Sequence, residues 1–477
     1  MMRQRVTAAL ALIILLSGCG GGGGGGMGQT ASTQTTTTTG STCSLRDRQD
    51  WAFAQLREWY LFPETLPASL DPTPYATVSD YIDALTATAR AQHRDRFFTY
   101  LTSIAQENAF NSSGASAGFG VRLSYDTVQN RVFVNEAFEG APALAAGIDR
   151  GTEILAIGTS AADLRNVSDI LAAEGVDGIT NAIGPATAGT TRLLRVKDVG
   201  GSTRDISVTK ANYSLTPVSS RYGAQIINDG GRMVGYVNLR TFIDTADPTL
   251  RNAFANFRAA GITNVIVDLR YNGGGLVSIA ELFGDLLGGN RSTADVFDFT
   301  SFRPEKTANN SHHNFAPQPQ SIAPARIAFI GTGGTASASE LVINGMLPFF
   351  RANEALVGTN TYGKPVGQIA VDRAACDDRF RIIAFATENG AHQGTYFDGL
   401  ATKMDVTCQA GDDIAHPMGD PLEGSTRAAL DFLAGRSCTA ITAGVPSGAA
   451  GLQAQRPREL LIPARPSAPQ HEVPGLF

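Results

Sequence analysis

The chain has 477 residues, a length that corresponds to about three domains at roughly 150 residues each. Hydrophobic residues make up 43% of the chain and charged residues 17%, so the chain can bury a sizeable core. Its formal net charge of -6 argues against a general nucleic-acid-binding protein, which would carry a basic face.

The first residues have the features of an export signal. Two arginines precede an apolar run over residues 6–16, which is too short to span a bilayer as a stable helix. The run ends in Leu-Ser-Gly-Cys at residues 16–19, which resembles a bacterial lipobox. The resemblance implies that residues 1–18 are a lipoprotein signal peptide and that Cys19 is acylated and becomes the mature N-terminus. A plain secretory signal, cleaved after small residues, is the alternative.

The lipobox also implies a location in the cell envelope, where the lipoprotein faces the periplasm and its lipid holds it to a membrane. Gly20 stands where an aspartate would favour inner-membrane retention in many Gram-negative bacteria, so we expect the outer membrane. Residues 19–42 are a glycine run followed by a threonine-rich stretch. Such a segment cannot bury apolar area and is predicted to be a flexible tether.

Export to an oxidising compartment makes disulfides the first interpretation of the other cysteines. Four remain after Cys19, and they allow three pairings. We predict Cys376–Cys408 and Cys43–Cys438, of which the second would tie the start of the folded region to its end. A zinc site is the alternative, but no close CxxC spacing supports it, and no metal site is predicted.

Residues 43–110 are predicted to form a helical N-terminal domain. Aromatic and aliphatic residues recur near helical spacing between Trp51 and Tyr60. Residues 80–85 and 97–101 are predicted to add further helical turns.

The chain changes character after residue 110. Residues 111–212 contain short alternating segments, such as 131–134 and 153–157, that are typical of strands between turns. The strand pattern alone does not show what this β region does, so its function has to be interpreted from its motifs.

Residues 213–440 alternate between strands and helices. A helix predicted over 249–260 lies between buried strands predicted over 234–239 and 264–269, which indicates a βαβ unit with a parallel pair. From residue 441 to residue 477 the chain is rich in proline, alanine and glycine and is predicted to be disordered.

The β region carries the pattern of a peptide-binding module. Gly118-Phe119-Gly120 precedes a strand, and Glu-Gly-Ala-Pro-Ala-Leu-Ala-Ala-Gly-Ile-Asp-Arg-Gly-Thr-Glu-Ile-Leu-Ala-Ile-Gly follows at 139–158. Together they resemble the PDZ domains of bacterial proteases. The resemblance implies that N–H groups of the glycine-containing loop hold a terminal carboxylate while the strand edge accepts an extended peptide. A structural β domain without a ligand is the alternative.

The first of three candidate catalytic segments, Asp268–Gly275, follows a predicted buried strand. Its successive glycines allow a sharp turn and present N–H groups to an anion. A phosphate-binding loop is the alternative, although no GxxxxGK[ST] pattern is present.

The second segment follows the apolar strand 327–330 and leads into a helix predicted over 338–347, which Pro348 ends. Ser337 and Glu340 have the spacing of a capping box, so Ser337 can be a helix cap. It can equally be a nucleophile at a strand-to-helix turn. In that case the N–H of the next residue points at the developing oxyanion, assisted by the helix dipole.

The third segment, 361–368, holds Lys364 between a glycine and a proline, on a constrained backbone. As a general base this lysine must be neutral near pH 7, which requires burial to lower its pKa by several units from about 10.4. Gln368 would position the amine by a hydrogen bond without adding a charge. A solvated surface charge is the alternative for an isolated lysine.

The three segments, in this order and after the PDZ-like region, resemble the C-terminal processing peptidases, or tail-specific proteases, over residues 45–440. The resemblance implies an α/β multidomain fold with a helical N-terminal region, a PDZ-like β domain and a protease core with a central sheet of the ClpP/crotonase type. It also implies a Ser/Lys serine protease that needs no cofactor and acts on polypeptides with accessible C-terminal tails. An adaptor protein or self-association is a further partner to consider.

The resemblance assigns roles to residues of this chain. Ser337 is the nucleophile, Lys364 the base and Gln368 the residue that orients it. The oxyanion hole is assigned to the backbone N–H groups of Ala338 and of the Gly273/Gly274 turn.

Two departures from the family pattern bear on these roles. The stretch between the serine segment and Lys364 is longer than usual, which leaves Ser339 as an alternative nucleophile. Related motifs often replace the last serine by alanine, and this favours Ser337. Pro365 stands where the family usually has glycine, which affects the turn after the lysine.

Two other functions stay open. A catalytically silent peptide-binding lipoprotein is the first, and the presence of both the serine and the lysine speaks against it. The second is a Ser-His-Asp hydrolase, because triads are recognised by geometry and not by sequence order. The histidines considered for it, none of which has a motif around it, are His312, His313, His392 and His416.

Overall fold

The computed structural model describes residues 43–442 and 458–477. Cys19, the predicted signal peptide and the predicted tether lie outside the described residues, as do residues 443–457 of the predicted disordered tail. Within the two described ranges, the helices all fall short of the length and apolar character needed to cross a membrane.

The helices follow the capping signals of the sequence where these are present. Ser44 accepts the Asp47 N–H at the start of the first helix, and Thr77 accepts the Asp80 N–H at the start of the second. The helices are α1 (Leu45–Trp59), α2 (Val78–Leu85), α3 (Ala87–Ala91), α4 (Ile104–Ser113), α5 (Pro142–Ala145), α6 (Val167–Ile183), α7 (Ala246–Ala259), α8 (Val277–Leu287), α9 (Ala338–Phe350), α10 (Gly424–Leu433) and α11 (Ala468–Glu472).

The strands assemble into several sheets. In chain order they are β1 (Tyr100–Ser103), β2 (Ala115–Gly118), β3 (Val121–Asp126), β4 (Arg131–Ala137), β5 (Glu153–Gly158), β6 (Arg165–Asn166), β7 (Thr191–Lys197), β8 (Thr203–Thr209), β9 (Ala211–Ser214), β10 (Ala224–Asp229), β11 (Arg232–Asn238), β12 (Asn264–Asp268), β13 (Val296–Phe302), β14 (Ser311–Asn314), β15 (Arg326–Gly331), β16 (Glu354–Gly358), β17 (Val366–Arg373), β18 (Asp378–Asn389), β19 (Thr407–Gln409) and β20 (Arg458–Leu460). The mixed α/β, multidomain fold class predicted from the sequence is confirmed.

The central sheet has the order β10-β11-β12-β15-β16-β19 and is parallel from β11 onward. The predicted βαβ unit is therefore confirmed as β11, α7 and β12. Val265 and Val267 pack toward α7, α8 and α9, whereas Ile266 packs toward α10. Because successive residues of a strand face opposite sides, this alternation buries both faces of the sheet.

A second sheet joins the helical N-terminal region to the core. Its order is β1-β18-β13-β14, and β17 also pairs with β18. Leu56 of α1 and Ile82 of α2 pack with Phe380 of β18 in one buried cluster. The prediction of further helical turns over 97–101 was wrong, because none of these residues is helical and Tyr100–Ser103 pairs antiparallel with β18.

The β region forms its own sheet, β3-β4-β5-β7-β8, with β6 beside β5 and β20 on the outer edge of β3. Helix α6 packs across it, and Ile170 and Ile179 meet Val134 and Leu194 in its core. We call this unit the β domain. The strands predicted around residues 131 and 153 are present as β4 and β5.

The serine-segment helix is longer than predicted. We expected Pro348 to end it, but α9 continues to Phe350. Proline removes the hydrogen bond that the carbonyl four residues earlier would accept. Here that carbonyl, of Asn344, accepts a hydrogen bond from the Asn389 side chain instead, at 3.1 Å.

Disorder over 441–477 was also predicted wrongly for residues 458–477. This stretch contains β20 and α11, and it buries Leu461, Val473, Leu476 and Phe477. The disorder was predicted from the composition of the whole tail, in which these apolar residues are few. They pack against partners elsewhere in the fold.

Both predicted disulfide pairings were wrong. The structure pairs Cys43 with Cys376, with Cα atoms 5.6 Å apart, and Cys408 with Cys438, with Cα atoms 5.3 Å apart. Cys408 lies in β19, and the chain after Cys438 runs beside that strand, where the Gln409 N–H donates to the Thr439 carbonyl at 2.7 Å. Proximity in the fold, which the cysteine spacing does not encode, decides the pairing.

Candidate active site

The three candidate catalytic segments follow three neighbouring strands of the central sheet. β12, β15 and β16 lie side by side and parallel, so their carboxyl ends share one edge. The glycine-rich segment follows β12, the serine segment follows β15 and the lysine segment follows β16. Sites in α/β folds are commonly built from loops at this edge.

Ser337 occupies a strained turn. Its φ of 56° and ψ of -118° are rare for a residue other than glycine, and α9 begins at the next residue. Such conformations persist where the surrounding structure enforces them. Ser339 is fully buried instead, and its hydroxyl donates to the Asn272 carbonyl at 3.0 Å. Of the two candidate nucleophiles, the half-buried Ser337 therefore has the better-suited geometry.

The buried Glu340 carboxylate links the serine and lysine segments. It accepts the Ser337 N–H at 3.1 Å, as a capping box requires, and also the Lys364 N–H at 2.7 Å. Its other oxygen accepts the Gly363 N–H at 2.7 Å. Burial raises the pKa of Glu340, and these hydrogen bonds oppose the rise. The sequence indicated only the capping role, since the contact with the lysine segment depends on the fold.

The Lys364 amine is held in a desolvated position. It donates to Gln368 Oε1 at 3.1 Å and lies 5.1 Å from the centroid of the Phe98 ring. The Gln368 amide in turn donates to the Phe98 carbonyl, which leaves its oxygen facing the amine. Desolvation lowers the pKa of Lys364, while the carboxylates of Glu472 and Asp95 act in the opposite direction.

Both glycine N–H groups of the glycine-rich segment have acceptors, but only one of them is bonded within the turn itself. The Gly274 N–H donates to Asn272 Oδ1 at 2.9 Å and is thereby committed within the turn. The Gly273 N–H instead donates to the Glu472 carbonyl at 3.0 Å. Ala338 is the first residue of α9, so its N–H has no acceptor inside the helix. Of the predicted oxyanion donors, Gly273 and Ala338 thus have suitable groups.

Gly274 has a steric role in place of the predicted electrostatic one. A Cβ there would lie 2.8 Å from the Ser337 Cβ, and its φ of 121° also disfavours a side chain. Glycine lets the two turns approach each other.

A buried ionic network fixes the glycine-rich segment from behind. Arg270 donates to Asp268 and Glu423 with all distances at 2.9 Å, and to Asp412 at 3.1 Å. Asp412 also accepts from Arg150 of the β domain at 2.7 Å. The sequence reasoning missed this network, because buried pairs of this kind have no local signature.

Ser337 and Gln368 line one cavity of about 160 Å³, together with Tyr100, Arg381 and Glu472. Lys364 is hydrogen-bonded to Gln368, so the serine and lysine segments meet around this space. No histidine lines the cavity in the part of the chain that the structure describes. His313 and His416, two candidates for a triad, pair with Asp285 and Asp413 instead.

The predicted peptide-binding loop lies at the start of β3. Gly118 ends β2, Phe119 is buried in the β-domain core, and the Gly120 N–H points to the β3 edge. There it donates to the Phe477 carbonyl at 2.8 Å. The loop is therefore occupied by another part of the same chain.

The comparison with protein families gives a match to Peptidase family S41 over residues 233–390, the region that carries all three segments. The matched region, about a third of the chain, is similar to this family. It is 26% identical to carboxyl-terminal-processing peptidase 3, chloroplastic, of Arabidopsis thaliana over 66% of this chain and 58% of the relative. It is 27% identical to a carboxyl-terminal-processing protease of Picosynechococcus over 53% of this chain and 56% of the relative. The chain thus spans a little over half the length of these relatives.

A solved structure shares the fold of this chain. A Bacteroides fragilis protein assigned to the S41 proteases superposes with a TM-score of 0.62 at 22% sequence identity. The superposition covers 81% of this chain and 97% of the other. At this identity the likeness establishes the architecture, and the chemistry has to be argued from the site.

Proposed function

We propose that the protein is a serine endopeptidase of the C-terminal processing type, with Ser337 as nucleophile and Lys364 as base. The observation that carries this proposal is the Glu340 carboxylate, which accepts hydrogen bonds from the backbone of both residues. It fixes a strained serine turn against a loop whose amine is desolvated. Such a pair needs no histidine to activate the hydroxyl.

The chemistry follows from this arrangement. The neutral Lys364 amine takes the Ser337 proton while Oγ attacks the scissile carbonyl. The oxyanion that forms is stabilised by the N–H groups of Gly273 and Ala338. The protonated lysine then donates to the leaving amine, and water releases the acyl-enzyme. Gln368 keeps the amine directed without adding a charge that would raise its pKa.

The test is hydrolysis of dye-labelled casein, together with labelling by a serine-reactive fluorophosphonate. Ser337→Ala should abolish both, whereas Ser339→Ala, which changes only a buried hydroxyl, should retain labelling. Undiminished casein hydrolysis by a folded Ser337→Ala protein would show that another nucleophile acts.

A histidine base is tested in the same assay. His471, which the sequence did not single out, stacks on Tyr100 near the site, but desolvation lowers its pKa to about 3. The His471→Ala protein should therefore still hydrolyse casein, whereas the Lys364→Ala protein should not. The opposite pattern would indicate a Ser-His hydrolase.

The β domain belongs to the same proposal as a PDZ-like module that selects polypeptide tails. Its support is the β3 edge, where backbone groups already pair with an added strand. A peptide tail would bind there by strand addition and present the upstream chain to Ser337. Deleting residues 118–200 should change which proteins are cleaved, and an unaltered substrate profile would contradict tail selection.

The lipid anchor completes the proposal. Acylation of Cys19 would hold the enzyme at the outer membrane, facing the periplasm, with residues 19–42 as the tether. Fractionation of cells that produce Cys19→Ala should move the protein out of the membrane fraction. Persistent membrane association of that variant would rule out lipid attachment at this cysteine.

A further inference from the structure

The 458–477 segment pairs twice with the outer edge of β3. Its first part, β20, pairs antiparallel with Ser124–Asp126. Its last part returns to the same edge, where the Leu123 N–H donates to the Gly475 carbonyl and the Phe477 N–H donates to the Val121 carbonyl, both at 2.8 Å. The edge proposed to bind substrate tails is thus filled along its length.

Apolar side chains anchor both parts of the segment. Leu461 and Phe477 are buried in the β-domain core. Val473 and Leu476 are buried in a separate cluster, whose other members are Phe110, Phe138, Ala141, Tyr213, Leu215 and Ile243. The pairing is therefore accompanied by side-chain packing of the kind that gives strand addition its specificity.

Between its two paired parts the segment enters the catalytic cleft. The His471 ring stacks on Tyr100 with centroids 3.7 Å apart and planes 9° from parallel. The Glu472 carbonyl accepts the Gly273 N–H at 3.0 Å, and the Glu472 side chain lines the cavity with Ser337. The space above the nucleophile is consequently shared with this segment.

Two of these contacts oppose catalysis. The Gly273 N–H, a proposed oxyanion donor, cannot serve a substrate carbonyl while Glu472 occupies it. The Glu472 carboxylate also favours the protonated form of Lys364, whereas a general base must be neutral. The segment therefore occupies the edge of β3. It also opposes catalysis, because it takes up the Gly273 N–H and favours the protonated form of Lys364.

We infer that the 458–477 segment is an internal ligand of the β3 edge and of the cleft, and that it must be displaced before a polypeptide substrate can bind. This inference rests on the proposed function, because only a peptidase cleft gives the blockage a consequence. The class of displacing partner follows from the contacts: an extended polypeptide that can pair with β3 and bury apolar side chains where Leu476 and Phe477 now lie.

The test compares two apolar-to-aspartate changes within the segment, with casein hydrolysis as the readout. Leu476 is 3% exposed and Ile462 is 42% exposed, so only Leu476→Asp should release the segment. We expect Leu476→Asp to raise the rate at least about fivefold and Ile462→Asp to leave it within about twofold of wild type. A folded Leu476→Asp protein with an unchanged or lower rate would overturn the inference.

A second variant covers the case in which Leu476→Asp fails to fold. The double change His471→Ala and Glu472→Gln removes the ring stacking and the carboxylate but leaves the β domain intact. It should also raise the rate, and a synthetic peptide of residues 458–477 should inhibit it more than a scrambled peptide does. An unchanged rate, or equal effects of the two peptides, would contradict the inference.

Intact mass separates a resident ligand from a substrate. The wild type and Ser337→Ala should both retain the whole segment. Loss of residues 473–477 from the wild type alone would overturn the inference, because the segment would then be cleaved after Glu472. Casein hydrolysis that persists in Ser337→Ala would instead refute the catalytic assignment, independently of any activation by Leu476→Asp.

Discussion

The catalytic cleft and the β3 edge hold the same segment by different means. In the cleft the contacts come from a few polar groups of defined chemistry, such as the Gly273 N–H on the Glu472 carbonyl. Along β3 they come from repeated backbone hydrogen bonds and from buried side chains such as Phe477. A single substitution in the cleft should therefore change the chemical step, whereas one at the β3 edge should change occupancy.

The largest expected effect is the loss of the base in the cleft. Lys364→Ala should lower kcat by about a thousandfold, in the middle of the range for general acid–base catalysis. Lys364→Arg should be equally inactive, because a guanidinium keeps its proton in proteins. Initial rates of casein hydrolysis measure both effects, and an unchanged melting temperature is the control. More than a tenth of the wild-type rate in either variant would refute the assignment.

A smaller effect is expected when the link between the two catalytic segments is weakened. Several backbone N–H groups donate to the Glu340 carboxylate. In Glu340→Gln, one of them would face an amide NH₂ group instead of an acceptor oxygen. We expect kcat to fall by roughly tenfold to a hundredfold and unfolding to become easier by about 1–3 kcal/mol. Chemical denaturation and steady-state kinetics measure the two quantities.

Glu354→Gln is the matched control for that change. Glu354 is also fully buried, but neither of its carboxylate oxygens has a hydrogen-bond partner within the described residues. Burial raises the pKa of Glu354 well above its usual value, so its neutral form resembles glutamine. Equal losses in the two variants would mean that Glu340 acts through burial alone and not through the two backbones.

A substitution at the β3 edge should change the affinity for substrate. Phe119 packs in the β-domain core with Phe477, and Phe119→Leu keeps the position apolar while removing part of the contact with that ring. We expect KM for an unfolded protein substrate to rise by up to about tenfold, equivalent to 1.4 kcal/mol, with little change in kcat. A fall in kcat at constant KM would mean that Phe119 affects the chemical step. The catalytic cleft and the β3 edge would then not differ in the way proposed here.

The parts of the fold that the sequence predicted well are locally encoded. The βαβ unit of β11, α7 and β12 combines buried strands with an amphipathic helix, and its connection is short. The convergence of the three catalytic segments follows from it, since each segment directly follows a parallel strand. Local pattern and sheet topology together were sufficient to bring Ser337 and Lys364 into one region.

The parts that the sequence did not predict depend on distant partners. Tyr100–Ser103 is a strand only because β18 offers it an edge, and the cysteine pairs depend on which loops meet. The distinction between Gly273 and Gly274 depends on one hydrogen bond, which the Gly274 N–H donates to the Asn272 side chain. The 458–477 segment has a composition typical of disorder, and its order comes from surfaces more than three hundred residues earlier in the chain.

The smallest expected effect couples the two regions through pH. Desolvation lowers the pKa of His471 to about 3 in the docked segment, against about 6.5 when the residue is exposed. Docking is therefore fully favoured above about pH 6.5 and weakens as the pH falls toward 3, because the released segment binds the proton. Of the other groups at this position, Tyr100 and Lys364 face His471, and burial raises the pKa of Glu472.

Glu472 gives the opposite trend. Its pKa is raised in the docked segment, so docking strengthens as the pH falls. The opposite signs separate the two groups experimentally. His471→Phe keeps a ring against Tyr100 and removes the histidine titration. Protection of the Leu123 amide from hydrogen exchange reports docking, because that N–H is bonded to Gly475. Between pH 6.5 and 5.5 we expect wild-type protection to fall by about fivefold to sixfold relative to the variant. Matching pH profiles would show that docking at the β3 edge is independent of His471 in the cleft.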